Sequence, residues 1–198
     1  MKWDDIVARV EPRMDLALPG PESLATIVYT SGSTGQPKGV MHNFAAMISV
    51  AAGLQDNYNV SSYDRMLSYL PLAHVAERAV LETASLYFGF SVFFSEGLET
   101  FQKDLQRAQP TIFFSVPRLW TKFYLGVNEK LPLEKQKRLF RIPILSGIVK
   151  RKILKQLGLD KCRMAVTASA PLPPNIIQWY RNLGLELLDV YGMTENFG

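Results

Sequence analysis

Residues 29–39 read Tyr29-Thr30-Ser31-Gly32-Ser33-Thr34-Gly35-Gln36-Pro37-Lys38-Gly39. Four Ser/Thr hydroxyls, three glycines and a lysine fall within eleven residues. A phosphate cradle needs donors, backbone N–H groups that can be approached closely, and a cation. Thr30, Ser31, Ser33 and Thr34 offer the donors, Gly32, Gly35 and Gly39 the freedom of approach, and Lys38 the charge. A plain Ser/Gly surface loop has the same composition, so composition alone leaves both readings open. A Walker loop is disfavoured, because that loop ends in Gly-Lys-Ser/Thr. Here Pro37-Lys38-Gly39 lacks a donor at the proline and a hydroxyl after the lysine.

Three further stretches carry residues able to do chemistry. "YLPLAHVAER" (69–78) places His74 after a Pro-Leu pair, "TASAPLPPNII" (167–177) is a run of small residues, and "DVYGMTE" (189–195) joins Asp189, Tyr191, Thr194 and Glu195. A carboxylate is a natural ligand for a hard divalent cation.

The elements that must position these residues alternate along the chain. "LATIVYT" (24–30) reads as a strand, and Val40 to Leu54 as a long Ala/Met-rich helix. Arg65 to Leu70 reads as a strand stopped by Pro71, and His74 to Phe88 as a helix. The strand "FSVFF", the helix "ETFQKDLQRAQ" and the strand "TIFFSV" follow, and a helix enters at Pro117. Leu133 to Leu157 reads as helical with a break near Pro143. "CRMAVTAS" is a strand, "PPNIIQWYRNL" a helix ended by Gly184, and "LELLDVYG" a closing strand. The alternation predicts an α/β fold with a mainly parallel sheet flanked by helices. In such folds ligands gather beyond the C-terminal strand ends, where the loops after Tyr29, Val166 and Val190 would lie.

The chain has 198 residues, enough for one domain with a real core. It contains no apolar run of membrane-spanning length and no signal-peptide pattern at its start, and its lone Cys162 excludes an internal disulfide. A cytoplasmic setting, peripheral at most to a membrane's inner face, is the expectation. Net charge is +4, yet ten basic residues and one acid, Asp160, lie between Lys135 and Arg163. "IVKRKILKQLGL" (148–159) spaces its apolar residues nearly helically among lysines and arginine. That segment suits an anionic lipid surface, or equally a packed helix with a cationic rim. Nucleic-acid binding is not expected, since interleaved aromatics are few.

"YTSGSTGQPKG" resembles, without a gap, the phosphate-binding signature of the adenylate-forming (AMP-binding) superfamily. The other three stretches resemble that family's later motifs, in its order. "LAHVAER" and "VPRLW" are most similar to long-chain fatty acyl-CoA synthetases. The resemblance implies a fragment of the family's large domain: residues 1–23 as lead-in and 24–198 as a partial AMP-binding domain. It implies ATP-dependent activation of a fatty acid to an acyl-adenylate, then thioester formation with CoA in the parent enzyme, with Mg²⁺ as cofactor.

By the same resemblance, Thr30, Ser31, Gly32, Ser33, Thr34, Gly35 and Lys38 hold the phosphates. Ser169, Ala170, Pro171, Asp189, Tyr191 and Gly192 line the nucleotide, with Tyr191 stacked on adenine. Thr194 bonds the α-phosphate, Glu195 holds Mg²⁺, and His74 lends a proton, stacks or gates beside the carboxylate unless it merely caps a helix. Two departures stand out: His42 lies a residue early and reads as structural, and Thr167 or Ala168 stands where many relatives have glycine. Counterparts of the family's ribose-gripping aspartate, hinge and C-terminal lysine domain are not found before Gly198. The chain reads as a piece of a synthetase, or alternatively as a short nucleotide- or membrane-binding module without ligase chemistry.

Overall fold

The structure, a computed structural model, describes residues 3–11, 15–31 and 35–198. A short helix α1 (Trp3–Val7) precedes the antiparallel hairpin β1 (Leu24–Thr30) and β2 (Lys38–Asn43). Next come α2 (Phe44–Tyr58), β3 (Arg65–Ser68), a π-helix (Glu77–Thr83) running into α3 (Ala84–Phe88), and β4 (Ser91–Phe94). The series closes with α4 (Phe101–Ala108), β5 (Ile112–Ser115), α5 (Pro117–Lys130), α6 (Leu133–Phe140), α7 (Pro143–Leu157), β6 (Met164–Thr167), α8 (Pro174–Leu183), β7 (Leu187–Asp189) and a 3₁₀ turn (Thr194–Asn196). The α/β architecture and the parallel pairing of β3 with β4, and of β6 with β5 and β7, match the sequence reading.

An expected helix start is overturned. The helix predicted from Val40 starts at Phe44, because Val40, Met41 and His42 pair with Val28, Ile27 and Thr26 across the hairpin. Asn43 ends the strand and caps the helix, its side-chain oxygen accepting from the Ala46 N–H at 2.8 Å. Elsewhere the signals hold: a break separates α6 from α7 at Pro143, and Gly184 ends α8 at φ 93°.

Strand side chains alternate between two covered faces, as a sheet flanked by helices requires. Leu67, Phe113, Ala165 and Leu187 point into a core shared with Leu105, Trp120, Ile153 and Tyr180. Met66, Ile112, Met164 and Val166 point the other way, onto Leu81, Ala84 and Phe90. Gly158, at φ +79°, ends α7 against α4; a Cβ there would sit 2.7 Å from the Leu105 carbonyl carbon.

A polar clasp joins the two parallel sheets at one end. Arg65 N–H donates to Thr111 Oγ1 at 2.9 Å, and Thr111 donates on to Asp64 Oδ1 at 2.7 Å. Arg163 grips the same carboxylate with Nε at 3.0 Å and Nη2 at 2.8 Å. At the opposite end Tyr69 Oη reaches Ser115 Oγ at 2.8 Å. Burial opposes ionisation of Asp64, but Arg163, Thr111 and the Ser61 N–H outweigh it and hold the carboxyl below the usual range.

Candidate functional site

The glycine-rich loop closes the β1–β2 hairpin, whose last pair is Thr30 opposite Lys38. It therefore sits at the tip of an antiparallel hairpin, not beyond a parallel strand as the sequence suggested. Lys38 is exposed and makes no ion pair among the described residues. Gly32, Ser33 and Thr34 lie outside the described residues. Ser31 and Gly35 are exposed, and Gly35 takes φ +80°, the left-handed backbone expected of a tight loop. Gly39 has another reason. It lies in β2, where a Cβ would come within 2.8 Å of Ile27 Cγ2 and 3.4 Å of the Tyr29 ring.

His74 stands at the entry to the helix that includes Glu77–Thr83, and it is exposed. Its Nδ1 accepts from the Ala76 N–H at 3.1 Å. An accepting Nδ1 carries no proton, which leaves Nε2–H as the ring's donor. The capping role and a role toward a substrate oxygen thus use different nitrogens of one ring.

Behind His74, Glu77 is buried and accepts from the Ser68 hydroxyl and from the N–H groups of Leu70 and Tyr69. It ties the helix to the C-terminal end of β3. Burial pushes its carboxyl above the ordinary value despite those donors. Burial likewise pushes the Tyr69 phenol up to about 12. The π-helical turn beginning at Glu77 is a rare form that recurs at functional sites. Sequence reasoning did not single out Glu77; its spacing three residues after His74 was the available signal.

At the C-terminal ends of β6 and β7, Thr167 pairs with Asp189, and the Val190 N–H donates to the Thr167 carbonyl at 2.9 Å. The segments that carry Ser169-Ala170-Pro171 and Tyr191 therefore leave the sheet from neighbouring strands. Ser169, Ala170 and Pro171 are exposed, as are Asp189 and Tyr191, the latter at 85%. An aromatic ring left this bare beside a run of small residues is suited to receive a flat partner. Ser169 holds φ +75°, a left-handed backbone unusual for a residue with a Cβ, just where glycine would relieve the strain. The Thr167 hydroxyl is buried with no hydrogen-bond partner.

The 3₁₀ turn carries Thr194 and Glu195, with Glu195 exposed. Asn196 Oδ1 accepts from Met193 N–H and Gly198 N–H, both at 3.2 Å. Gly192 is crossed so closely by Gly198 that a Cβ would sit 2.6 Å from its carbonyl carbon. Phe197 is wholly buried with Val28 of β1 and Val75 and Ala79 of the helix after His74. Its ring meets His42 edge-on at 4.9 Å. His42 is itself 5% exposed, with Nε2 unpartnered. Phe197, absent from the sequence-derived candidates, thus anchors the Thr194–Glu195 turn to both the hairpin and the His74 helix.

These contacts bring three of the four motifs onto one anchor, while the fourth adjoins through the β6–β7 pairing. No cluster of three or more His, Cys, Asp or Glu able to hold a metal occurs among the described residues. Magnesium does not require such a cluster, since it keeps several waters and takes one or two carboxylates plus substrate phosphates. Glu195 is free to be that carboxylate, as it makes no hydrogen bond or ion pair among the described residues. Cys162 is not a nucleophile: burial pushes its thiol up to about 12, and Sγ donates to the Met164 carbonyl at 3.1 Å. A cleft of about 410 Å³ between α2 and the π-helix, lined by Phe44, Met47, Thr83 and Tyr87 among others, holds none of the candidate site residues and, of the motif stretches, only Arg78.

Comparison with known proteins places the chain in a family. The family model described as AMP-binding enzyme matches residues 3–198. Long chain acyl-CoA synthetase 6, peroxisomal, of Arabidopsis thaliana is 35% identical over 197 residues, covering 89% of this chain and 28% of that protein. Long-chain-fatty-acid–CoA ligase 5 of Rattus norvegicus is 32% identical over 199 residues, covering 89% and 29%. Among solved structures, the A domain of carboxylic acid reductase from Segniliparus rugosus, in complex with AMP and a co-purified carboxylic acid, superposes with a TM-score of 0.71 at 30% identity. It takes in 96% of this chain and 31% of that one. The chain thus spans less than a third of each of these relatives. No helix among the described residues is long and apolar enough to cross a membrane. The chain belongs to the AMP-binding enzyme family.

Proposed function

We propose that this chain supplies the nucleotide-facing part of a site that activates a long-chain fatty acid with ATP. In that reaction a carboxylate oxygen attacks the α-phosphorus, the bond to the bridging oxygen breaks, and pyrophosphate leaves with the displaced electron pair. CoA accepts the acyl group afterwards in the complete enzyme. Support comes from the burial of Phe197 against Val28 and His42 of the hairpin and against the His74 helix, which ties the Thr194–Glu195 turn to the hairpin that carries the phosphate-type loop.

Two anions must meet for the reaction, so positive charge and oriented donors are the requirement. Lys38, at the base of the loop, faces the polyphosphate, and the hydroxyls of Thr30, Ser31 and Thr194 donate to phosphate oxygens. Tyr191 and Ser169–Pro171 sandwich the base, with Asp189 at the strand end facing its amino group. His74 Nε2–H donates to a carboxylate oxygen of the acid, its ring held by the bond from Ala76. Magnesium, held by Glu195, would neutralise phosphate charge as pyrophosphate forms. A position at a membrane surface suits an enzyme that draws a poorly soluble acid.

Calorimetric titration of the 198-residue chain with ATP tests this reading. A charge-assisted bond to phosphate contributes about 1.5–3 kcal/mol, so Lys38→Ala is expected to weaken ATP binding roughly tenfold or more. Glu195→Ala is expected to abolish any strengthening by magnesium. Unchanged binding in both variants contradicts the assignment. The chain alone, given fatty acid, ATP and CoA, is expected to release little pyrophosphate. Robust acyl-CoA formation would show that these residues suffice for the whole reaction.

A further inference from the structure

We propose that the corner between α6 and α7 docks on an anionic phospholipid bilayer. The outer face of α7 presents Ile144, Ile148, Arg151 and Lys155 at helical spacing, opposite the buried Ile153 and Leu157. Ile142, in the bend before α7, joins them. Exposures of 52% for Ile142, 82% for Ile144 and 60% for Ile148 leave a branched apolar wedge in water. Around it stand Arg138, Arg141, Arg151 and Lys152, which make no ion pair among the described residues. Glu134, the one acid of α6, is already bonded to Lys137 at 2.7 Å.

Charge complementarity selects the occupant. Residues 135–163 carry ten bases against one acid, a net +9 in a chain of net +4, so the remaining residues are net negative. Arg163 of that segment is bound to Asp64 and Lys137 to Glu134, and the cations left unpaired on α6 and α7 draw this corner toward an anionic surface. Isoleucines ringed by cations match an interfacial helix whose apolar side chains enter the headgroup boundary. Nucleic acid would call for exposed aromatic or polar readers, whereas Phe140 lies partly buried beneath the Lys150 ammonium at 5.1 Å. The corner is rigid: α7 packs through Ile153 and Leu157 into the main core, and Gln136 of α6 bonds Trp179, Asn128 and the Leu131 carbonyl. Docking does not depend on the adenylation reading.

Co-sedimentation of the 198-residue chain with vesicles tests the proposal. Phosphatidylcholine vesicles containing phosphatidylserine are expected to bind it at low salt, and phosphatidylcholine alone to bind far less. Each cation near such a surface contributes about a fivefold factor, so R151E/K152E is expected to lose about 25-fold or more. I144S/I148S, at exposed positions, is expected to keep the native circular dichroism and also to lose vesicle binding. No binding to anionic vesicles, binding unchanged in either variant, or equal binding to both vesicle types would overturn the proposal. Preferential capture of a fluorescent single-stranded RNA over the vesicles would overturn it as well.

Discussion

Trp120→Ala is expected to destabilise the chain by about 4 kcal/mol, the usual cost of deleting a large buried aromatic side chain. Trp120 is fully buried on α5, beneath β6, with its ring edge-on to Phe113 at 5.4 Å and to Tyr180 at 5.0 Å. Its Nε1–H donates to the Val166 carbonyl at 3.3 Å, and its own carbonyl accepts from Tyr180 Oη at 2.8 Å. Alanine leaves a cavity where three aromatic rings met, directly behind the strand that ends at Thr167, two residues before Ser169. A domain is stable by about 5–15 kcal/mol, so the loss is a large share of the total. Trp120→Phe keeps most of the packing and forfeits the hydrogen bond, for about 1 kcal/mol beyond the smaller ring's packing loss. Urea unfolding measures both; a midpoint hardly moved in the alanine variant would contradict the packing account.

Arg163→Ala is expected to cost roughly 3 kcal/mol, the low end for breaking a buried pair. The low end applies because the Arg163 side chain is 41% exposed while that of Asp64 is 5% exposed. Removal leaves the Asp64 carboxylate without its counter-charge, held only by Thr111 and Ser61, and frees the Tyr58 and Asn59 carbonyls, which the guanidinium also binds at 2.9 and 3.0 Å. The pair also sets a pH dependence. Asp64 titrates lower in the folded chain than in the unfolded one, so its stabilisation is full above the unfolded value near 3.8. It disappears as the pH falls through the lower folded value. Glu77 acts oppositely: burial raises its folded value, so it favours folding below 4.5 and costs stability as the pH rises through the raised value. In Arg163→Ala the acid-side loss attributable to Asp64 is expected to shrink, while the Glu77 contribution persists. Urea midpoints measured from pH 3 to pH 7 separate the two.

How far the sequence carried the reading follows from what each signal depends on. Strand β1 was legible to the residue, since Leu24 to Thr30 is β-branched and bounded by a glycine-rich turn. The α6–α7 break was legible because proline admits few alternatives. Val40 to Asn43 was not, because an apolar run before an alanine-rich segment suits helix and strand alike. Only the facing residues of β1 decide it, and those pairings are non-local. Gln136 sits within Lys-Gln-Lys-Arg yet is 1% exposed, its three bonds supplied by residues up to 43 positions away. The π-helical turn has no local signature. At the candidate site, the motifs and their order were visible, and so was His42 as a structural residue. Phe197 and Glu77 were not, since their importance lies in what they hold together.

The claim that these motifs form one nucleotide site is tested most directly by photolabelling the 198-residue chain with 8-azido-ATP and mapping the modified peptide. The geometry predicts labelling at Tyr191 or within Ser169–Pro171, suppressed by excess ATP. Competed labelling confined to another surface, such as the cleft between Phe44 and Tyr87, would contradict it.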